Sequence, residues 1–343
     1  HFEAIELMRR LSGLRREDKA EADVALANFV QRMNEDDMRV VIRAFSVFLD
    51  LVNVAEDRQR VRVLRQRMLE AAPGYGSESL GAAVQQLAED GRSVSEIRQL
   101  ISQLDIGLVL TAHPTEAKRR TVRGKLRRIR ELLDESDRAT SPSESKLCWQ
   151  RISAEITKLW QTDFIRPWRP SVIQEVQRGL YMKQVLWQVA PTVIQQVRDA
   201  IADAFNSDSG PVGPIFHFGS WIGGDRDGHP FVTTDITWRT FRWLRGAAVD
   251  LHLETCEQLR ESLSFSQRQV PISEELRVEI DRAVANWPQL TKLIKAVPPN
   301  EAIRRWLTIV RWRLRRTREA TVHATDRPGT YSHARELYAC LLY

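Results

Sequence analysis

Two short apolar runs interrupt a chain that is otherwise patterned for helices. Residues 106–111 (Ile-Gly-Leu-Val-Leu-Thr) and 215–218 (Ile-Phe-His-Phe) have the length and composition of short strands. Elsewhere apolar side chains recur at helical spacing. The longest stripe follows a capping-box pattern at Asn34 and Asp37, and it comprises Met38, Val41, Ile42, Phe45, Phe48, Leu49 and Val52. The pattern therefore predicts a mainly α protein that contains few strands.

Breaks between the periodic segments predict the remaining elements. We expect a helix over residues 116–133, a polar loop over 134–145, and helices over 147–161 and 172–205, the last interrupted near Pro191. Beyond the second strand the chain is mostly helical, with loops around residues 271, 298–299 and 328–329. At roughly 150 residues per domain, a chain of 343 residues suggests about two domains, or one large one. We place a helical N-terminal region at 1–104 and a second region, which holds the strands, at 105–343.

The composition is that of an ordinary globular protein, with 28% charged and 43% apolar residues. The longest uncharged stretch, residues 209–224, is broken by Gly and Pro, so we expect no transmembrane helix and no membrane partner. The N-terminus lacks the pattern of a signal peptide and the three cysteines are sparse, which predicts a cytoplasmic protein. Because the chain begins with His1 and ends in a helix-like run, we expect a piece of a longer protein.

The net charge of +6 is concentrated in two runs. Residues 118–130 hold eight basic side chains, and residues 304–318 hold seven arginines interleaved with Trp306, Trp312 and aliphatic residues. Such runs can bind nucleic acid through phosphate contacts and aromatic stacking. They also fit amphipathic helices with a solvated basic face, whose aliphatic stems cover the edge of the core. We favour the second interpretation and expect no nucleic-acid partner, because no recognition motif accompanies either run.

The first predicted strand leads into a histidine on a short loop. Pro114 disfavours helical geometry at His113 and can itself begin the next helix. A lone histidine is more often structural than catalytic. Here the strand-loop-helix context favours a function, because a helix N-terminus attracts anions and a neutral imidazole beside it can accept a proton. Loops that follow strands are also where α/β barrels place catalytic groups.

The second predicted strand leads into a glycine-rich loop at residues 219–230. In this loop Arg226 stands between Asp225 and Asp227, which leaves two interpretations open: an arginine that faces an anion, or a buried Arg–Asp network that braces a tight turn. The glycine spacing fits neither a dinucleotide-binding fingerprint nor a P-loop. The chain also lacks the paired Cys or His ligands of a zinc site and the Gly-x-Ser-x-Gly elbow of a serine nucleophile.

Both loops resemble signatures of the phosphoenolpyruvate carboxylase family. The first match is residues 109–116 (Val-Leu-Thr-Ala-His-Pro-Thr-Glu) with Arg119-Arg120-Thr121, and the second is Gly-Gly-Asp-Arg-Asp-Gly at 223–228. Weaker matches follow the family order at residues 43–46, 53–56, 160–163, 165–166 and 169–170. The resemblance covers essentially the whole chain. It implies a mainly α fold in which this chain supplies the helical N-terminal part and the first strands of a (β/α)8-type barrel.

The resemblance also implies an activity and roles for particular residues. The family makes oxaloacetate and phosphate from phosphoenolpyruvate and bicarbonate, which supplies the tricarboxylic acid cycle, and it uses Mg²⁺ or Mn²⁺. By resemblance, His113 takes the proton of a carboxyphosphate intermediate, and Trp221 walls an apolar CO₂ pocket. The residues assigned to this pocket and to bracing the active centre are Trp221, Gly223, Gly224, Asp225 and Arg226. A homotetramer is implied as well.

The sequence departs from the family in two ways. His229 stands where the family often has Asn. The acidic metal ligands, the Gly-rich basic loop and the phosphate-binding arginines of the family match nothing in this chain, so we expect the metal ligands outside it and no activity from it alone. The alternative hypothesis, prompted by the two basic runs, is a non-catalytic helical binding or scaffold module derived from the same fold.

Overall fold

The chain is mainly helical, as predicted. The computed structural model describes residues 2–14, 19–71, 75–111, 118–165, 170–179, 182–206, 210, 212–227, 229–325 and 327–342. The helices before the second strand are α1 (Phe2–Leu14), α2 (Lys19–Arg32), α3 (Glu35–Glu70), α4 (Leu80–Glu89), α5 (Val94–Ser102), α6 (Arg120–Asp137), α7 (Pro142–Trp160), α8 (Val172–Gly179) and α9 (Lys183–Phe205). Those after it are α10 (Thr234–Ser262), α11 (Glu274–Asn286), α12 (Leu290–Lys295), α13 (Ala302–His323) and α14 (Ala334–Cys340). The strands are β1 (Ile106–Leu110) and β2 (Phe216–Ser220).

The chain divides into two compact units. The first comprises His1–Ile97, His113–Arg169 and Asp199–Asp208, and the second comprises Arg98–Ala112, Pro170–Arg198 and Ser209–Tyr343. None of the described helices combines the length and the apolarity that crossing a membrane requires.

The core of the first unit is built by α3, α6 and α7. The predicted capping box opens α3, because the backbone N–H of Asp37 donates to the side-chain oxygen of Asn34 at 2.8 Å. Buried apolar residues from the three helices form one cluster: Val47, Val122, Ile129, Leu132, Ile152 and Leu159. The first unit is therefore held together by helix packing around this cluster.

The buried face of α3 differs from the predicted stripe. Ile42, Phe48 and Leu49 are exposed; Val41 is the stripe residue that is buried, and burial otherwise falls on Val47 and Asp50. The helix carries apolar residues on more than one side, and α6 and α7 pack against the side that includes Val47. Periodicity alone does not say which of two apolar sides a neighbour covers.

The second unit contains a two-stranded parallel sheet. Ile106 of β1 lies opposite Phe216 of β2, and Leu110 lies opposite Ser220. Most side chains of both strands are exposed, including Leu108 and Phe218. Parallel sheets are normally covered on both faces, so this one leaves apolar surface uncovered within the described residues.

The main core of the second unit surrounds α13. The residues that α13 buries there include Leu307, Ile309, Val310 and Leu314, and α10, α11, α12 and α14 pack around them. The loops predicted between these helices are confirmed: α10 ends at Ser262, α12 ends at Lys295 and α13 ends at His323.

Two predicted boundaries are wrong. Residues 134–145 are not one loop, because α6 continues to Asp137 and α7 already begins at Pro142. Ser141 caps α7 and accepts a hydrogen bond from the N–H of Glu144 at 3.3 Å, so the Ser-Pro pattern marks a helix start. Pro191 does not interrupt a helix but lies inside α9. The proline removes one backbone hydrogen bond, and packing of later residues such as buried Val197 outweighs that loss.

Candidate functional site

Both loops with candidate chemistry begin at the same edge of the sheet. Leu110 and Ser220 are the last residues of the two paired strands, and the N–H of Trp221 donates to the Leu110 carbonyl at 2.8 Å. The carboxyl ends of parallel strands are where α/β proteins place their sites. His113, the predicted catalytic residue, lies outside the described residues, as does Gly228.

The loop after β2 is a tight turn held by its own backbone. The N–H groups of Gly224 and Asp225 donate to the Trp221 carbonyl at 3.0 and 2.9 Å. The Ser220 hydroxyl accepts from the N–H of Ile222 at 3.2 Å. These bonds fix the backbone without any ionic network.

Apolar packing anchors this turn to the helices of the second unit. Ile222 is buried with Val176 of α8, and Leu110, Trp243 and Leu244 pack against the two. The turn is thereby fixed to α8, α10 and the end of β1.

Gly223 is the position in this turn where a side chain would be strained. Its φ is +81°, and a Cβ placed on it would lie 2.3 Å from Thr240 Oγ1 and 2.8 Å from Val176 Cγ2. The Thr240 hydroxyl is itself engaged, since it donates to the Ile236 carbonyl at 2.8 Å. A Cβ on Gly224 would come no closer than 3.6 Å to the Ser220 carbonyl oxygen. Of the two adjacent glycines, only Gly223 is required by space and backbone angle.

Arg226 lies at the surface of the turn. Its Nη2 donates to the Thr237 hydroxyl of α10 at 3.4 Å, and the described residues place neither neighbouring carboxylate in an ion pair with it. The Asp225 carboxylate instead accepts from the N–H of Asp227 at 3.1 Å. The described residues therefore form no buried Arg–Asp network, and among them the guanidinium has donors beyond the one that Thr237 uses.

Trp221 directly follows the last residue of β2 and is 55% exposed. Phe231, Trp238 and Phe241 on the chain that follows are also exposed, and the rings of Trp238 and Phe241 meet edge to face at 6.1 Å. The second unit therefore presents exposed aromatic surface beyond the end of β2. An apolar pocket around Trp221 would need further surface to cover the indole.

The basic face predicted for residues 304–318 is solvated only in part, since Arg315 is exposed and Arg313 is buried. Arg313 is only 7% exposed, pairs with Glu336, and places its guanidinium 3.9 Å from the ring centre of Tyr331. Three more arginines of α13 form ion pairs, Arg304 with Glu301, Arg311 with Glu257 and Arg318 with Asp250. Sequence pattern missed this because most of the partners lie far along the chain.

Two buried groups away from the sheet edge have shifted pKa values. Burial lowers the pKa of His252, whose ring meets that of Trp187 edge to face at 4.7 Å. Burial also raises the pKa of the Cys256 thiol to about 11. The thiol is therefore protonated at neutral pH and is no nucleophile.

The described part of the chain supplies no metal centre. It brings together no group of three or more His, Cys, Asp or Glu side chains that could hold an ion. Mg²⁺ binds in proteins through carboxylates and substrate oxygens. The described residues do not fit a Mg²⁺ site.

A short parallel sheet among helices, with polar loops at its carboxyl edge, is the arrangement of α/β enzymes. The sequence model of the phosphoenolpyruvate carboxylase family matches residues 1–341, and this chain belongs to that family. A phosphoenolpyruvate carboxylase of Roseiflexus castenholzii is 36% identical over 318 residues, which cover 92% of this chain and 34% of the relative. One from Alcanivorax borkumensis is 33% identical over 343 residues, covering 97% of this chain and 36% of the relative. The chain thus spans about a third of the length of these curated relatives.

Proposed function

We propose that the protein carrying this chain forms oxaloacetate from phosphoenolpyruvate and bicarbonate. The observation that carries the proposal is the pairing of β1 with β2, because it starts both signature loops at one sheet edge. Membership of the phosphoenolpyruvate carboxylase family supports the same reaction. Residues elsewhere in a longer chain would provide the Mg²⁺ ligands.

The proposed reaction has three steps. Bicarbonate oxygen takes the phosphoryl group of phosphoenolpyruvate, which gives carboxyphosphate and the enolate of pyruvate. Carboxyphosphate loses its proton to the neutral imidazole of His113 and splits into CO₂ and phosphate. The enolate carbon then attacks CO₂ and forms the new C–C bond of oxaloacetate.

The described loop supports these steps in two ways. The aromatic surface at Trp221 suits an apolar molecule such as CO₂ once further chain covers it. Arg226 is braced by Thr237 and keeps free donors for an anionic group. Gly223, Gly224 and Asp225 form the turn that holds both side chains at the end of β2.

We extend the proposal to the fold around the site. The exposed faces of the β1–β2 sheet support its role as the start of a (β/α)8-type barrel. In this view residues 1–104 are a helical region and 105–343 belong to the catalytic domain, within a homotetramer. The alternative of a binding or scaffold module, which the two basic runs suggested, has less support: the family match favours the carboxylase, and four of the seven arginines of residues 304–318 form ion pairs.

His113→Asn tests the proposal in the full-length protein. We expect oxaloacetate formation to fall by about a hundredfold or more, while phosphoenolpyruvate still binds, because the amide cannot accept the proton. His333→Asn is the matched control, since His333 caps α14 through Nδ1 and Asn is also a good cap. Full bicarbonate-dependent turnover in His113→Asn would remove the role given to this histidine.

A further inference from the structure

The second unit contains a cavity of about 170 Å³ among α11, α13 and α14. Its lining combines the indoles of Trp287 and Trp306 with the polar side chains of Arg282, Asn286 and Arg313. A cavity of about 150 Å³ is large enough to hold a molecule of the size of benzene. The space among these helices therefore admits a small organic molecule.

A buried guanidinium in the cavity wall is held rigidly by its neighbours. Arg313 lies with its guanidinium 3.9 Å from the ring centre of Tyr331. Its Nε donates to the Gly329 carbonyl at 3.3 Å, and its Nη2 donates to the Thr330 carbonyl at 3.3 Å and to the Glu336 carboxylate. Two of its three nitrogens are thus fully used within the second unit.

The third nitrogen of Arg313, Nη1, is poorly paired. It carries two hydrogens, and its hydrogen-bond contact among the described residues is the Sγ of Cys340 at 3.5 Å. A thiol sulfur is a weak acceptor, and a buried charged N–H group without a good acceptor costs free energy. Arg313 and Cys340 both line the cavity, so an acceptor inside it would complete the hydrogen bonds of this guanidinium.

The two carboxylates in the cavity wall are both neutralised by arginines. Glu336 pairs with Arg313, and its Oε2 accepts from the N–H and the hydroxyl of Ser332, each at 3.0 Å. Glu279 pairs with Arg282, three residues further along α11. The Arg282 side chain is 62% exposed and can turn toward a bound anion. The wall therefore carries no net negative charge that would repel one.

The remaining walls are apolar and fixed in place. The Nε1 of buried Trp306 donates to the Cys340 carbonyl at 2.7 Å. The ring of Trp287 packs against that of Trp312, with 5.7 Å between the ring centres. Ala339 of α14 contributes only a methyl group to the lining. Two rigid indoles beside a small side chain leave room for a flat apolar group.

We propose that this cavity binds a small monocarboxylate with a flat apolar body. The carboxylate accepts from Nη1 of Arg313 and from Arg282, since a guanidinium is the side chain best suited to that group. The apolar body lies against the indoles of Trp287 and Trp306. The site is built from described residues of the second unit and does not depend on the proposed reaction.

Benzoate is the probe, and its binding to the full-length protein is measured by NMR titration of the ligand signals. We expect a Kd of about 1 mM or lower, which is ordinary for a ligand of this size. Acetate lacks the ring and benzamide lacks the charge, and each is expected to bind at least about tenfold more weakly. The proposal is overturned if benzoate does not bind, or if either of the other two binds equally well.

Two variants with matched controls locate the site. Ala339→Leu fills the cavity and is expected to weaken benzoate binding at least about tenfold, because the larger side chain takes the space of the ring. Ala334→Leu makes the same change at an exposed position of α14 outside the lining and is expected to leave binding unchanged. Equal effects of the two variants would reject the cavity as the binding site.

Arg282→Gln removes the second cation and is expected to weaken benzoate binding about threefold to tenfold. Arg277→Gln is its control, since Arg277 lies on the same helix, pairs with Glu274 at 3.1 Å three residues away, and lies outside the lining. It is expected to bind benzoate as the parent does. Equal losses in the two variants would assign the effect to net charge and overturn the role of Arg282.

Alkylation of Cys340 gives a second readout that needs no variant. Cys340 lines the cavity and is partly exposed, whereas Cys148 and Cys256 are buried. Benzoate at about ten times its Kd leaves about a tenth of the sites empty, so we expect it to slow labelling of Cys340 by iodoacetamide about tenfold. Mass spectrometry of the peptides measures the rate. Unchanged labelling under benzoate that binds would place the ligand elsewhere and overturn the proposal.

Discussion

Gly223 shows how a single residue sets the geometry of the candidate site. A side chain there would meet Thr240 and Val176 and would have to adopt a φ of +81°. We expect Gly223→Ala to lower the free energy of unfolding by about 2–4 kcal/mol, from backbone strain and overpacking together. Chemical denaturation followed by tryptophan fluorescence measures the loss.

Gly224→Ala is the control for that prediction, since the added Cβ would make ordinary contacts only. We expect its free energy of unfolding to lie within about 1 kcal/mol of the parent value. Equal losses in the two variants would mean that the turn yields at residue 223, and that the packing against Thr240 does not fix it.

Some of the important individual residues could be predicted from the sequence and others could not. The Gly-Gly-Asp-Arg-Asp pattern pointed to the loop, yet only the backbone angle and the packing at residue 223 distinguish Gly223 from Gly224. Asp50 was missed, although an acidic residue inside an apolar helical stripe is itself a signal of an internal partner. The identity of that partner, Lys118, depends on how α3 packs, which local sequence does not contain.

The contact between α9 and α10 makes stability depend on pH. His252 of α10 packs against Trp187 of α9, and burial lowers its pKa below the ordinary value of 6.5. The folded protein therefore keeps His252 neutral at a pH where the unfolded chain already takes up a proton. The contribution of neutral, buried His252 to the free energy of unfolding is fully present above about pH 6.5. It is lost progressively as the pH falls through and below that value.

His252→Phe tests this dependence, since it keeps an aromatic ring against Trp187 and removes the titration. We expect the free energy of unfolding to fall less between pH 7.5 and 5.5 in the variant than in the parent. Thr255→Val serves as a control: it removes the hydroxyl that accepts from Trp187 Nε1 at 3.2 Å without removing a titrating group. Its stability is expected to be lower by a similar amount at each pH, and a slope as shallow as that of His252→Phe would contradict the assignment.

The sequence predicted which helices and strands are present better than where each of them begins and ends. Both strands and the capped start of α3 were found, because short apolar runs and capping boxes are local patterns. The continuation of α9 through Pro191 was not predicted, because tertiary packing decided it. The early start of α7 was not predicted either, because a Ser-Pro cap decided it. Burial of Arg313 could not be predicted, because Glu336 and Tyr331 approach it from distant positions.

Within the part of the chain that the structure describes, the parallel sheet is uncovered, which predicts association of this chain when it is expressed alone. Leu108 and Phe218 are paired across the strands and exposed on one face. Uncovered apolar sheet surface and free strand edges favour pairing with another copy. We expect Leu108→Lys/Phe218→Lys to shift sedimentation of the chain toward the monomer, because opposed like charges repel.

Val278→Lys/Val322→Lys is the control, because these exposed residues lie on separate helices, α11 and α13. It adds the same charge and is expected to leave the association unchanged. If the chain belongs to a longer protein whose further strands cover that face, the sheet variant is expected to lose folded protein there. Association that responds equally to both variants would assign it to net charge instead of the sheet.

The ion pairs of α13 determine how mutation can change the charge around this helix. Four of its seven arginines pair with the acidic side chains of Glu257, Glu301, Glu336 and Asp250, and these pairs offset part of the helix's formal charge. Loss of a single acidic partner would release a cation without any new basic residue. The positive potential around α13 can therefore rise through a substitution at a position that carries no positive charge itself.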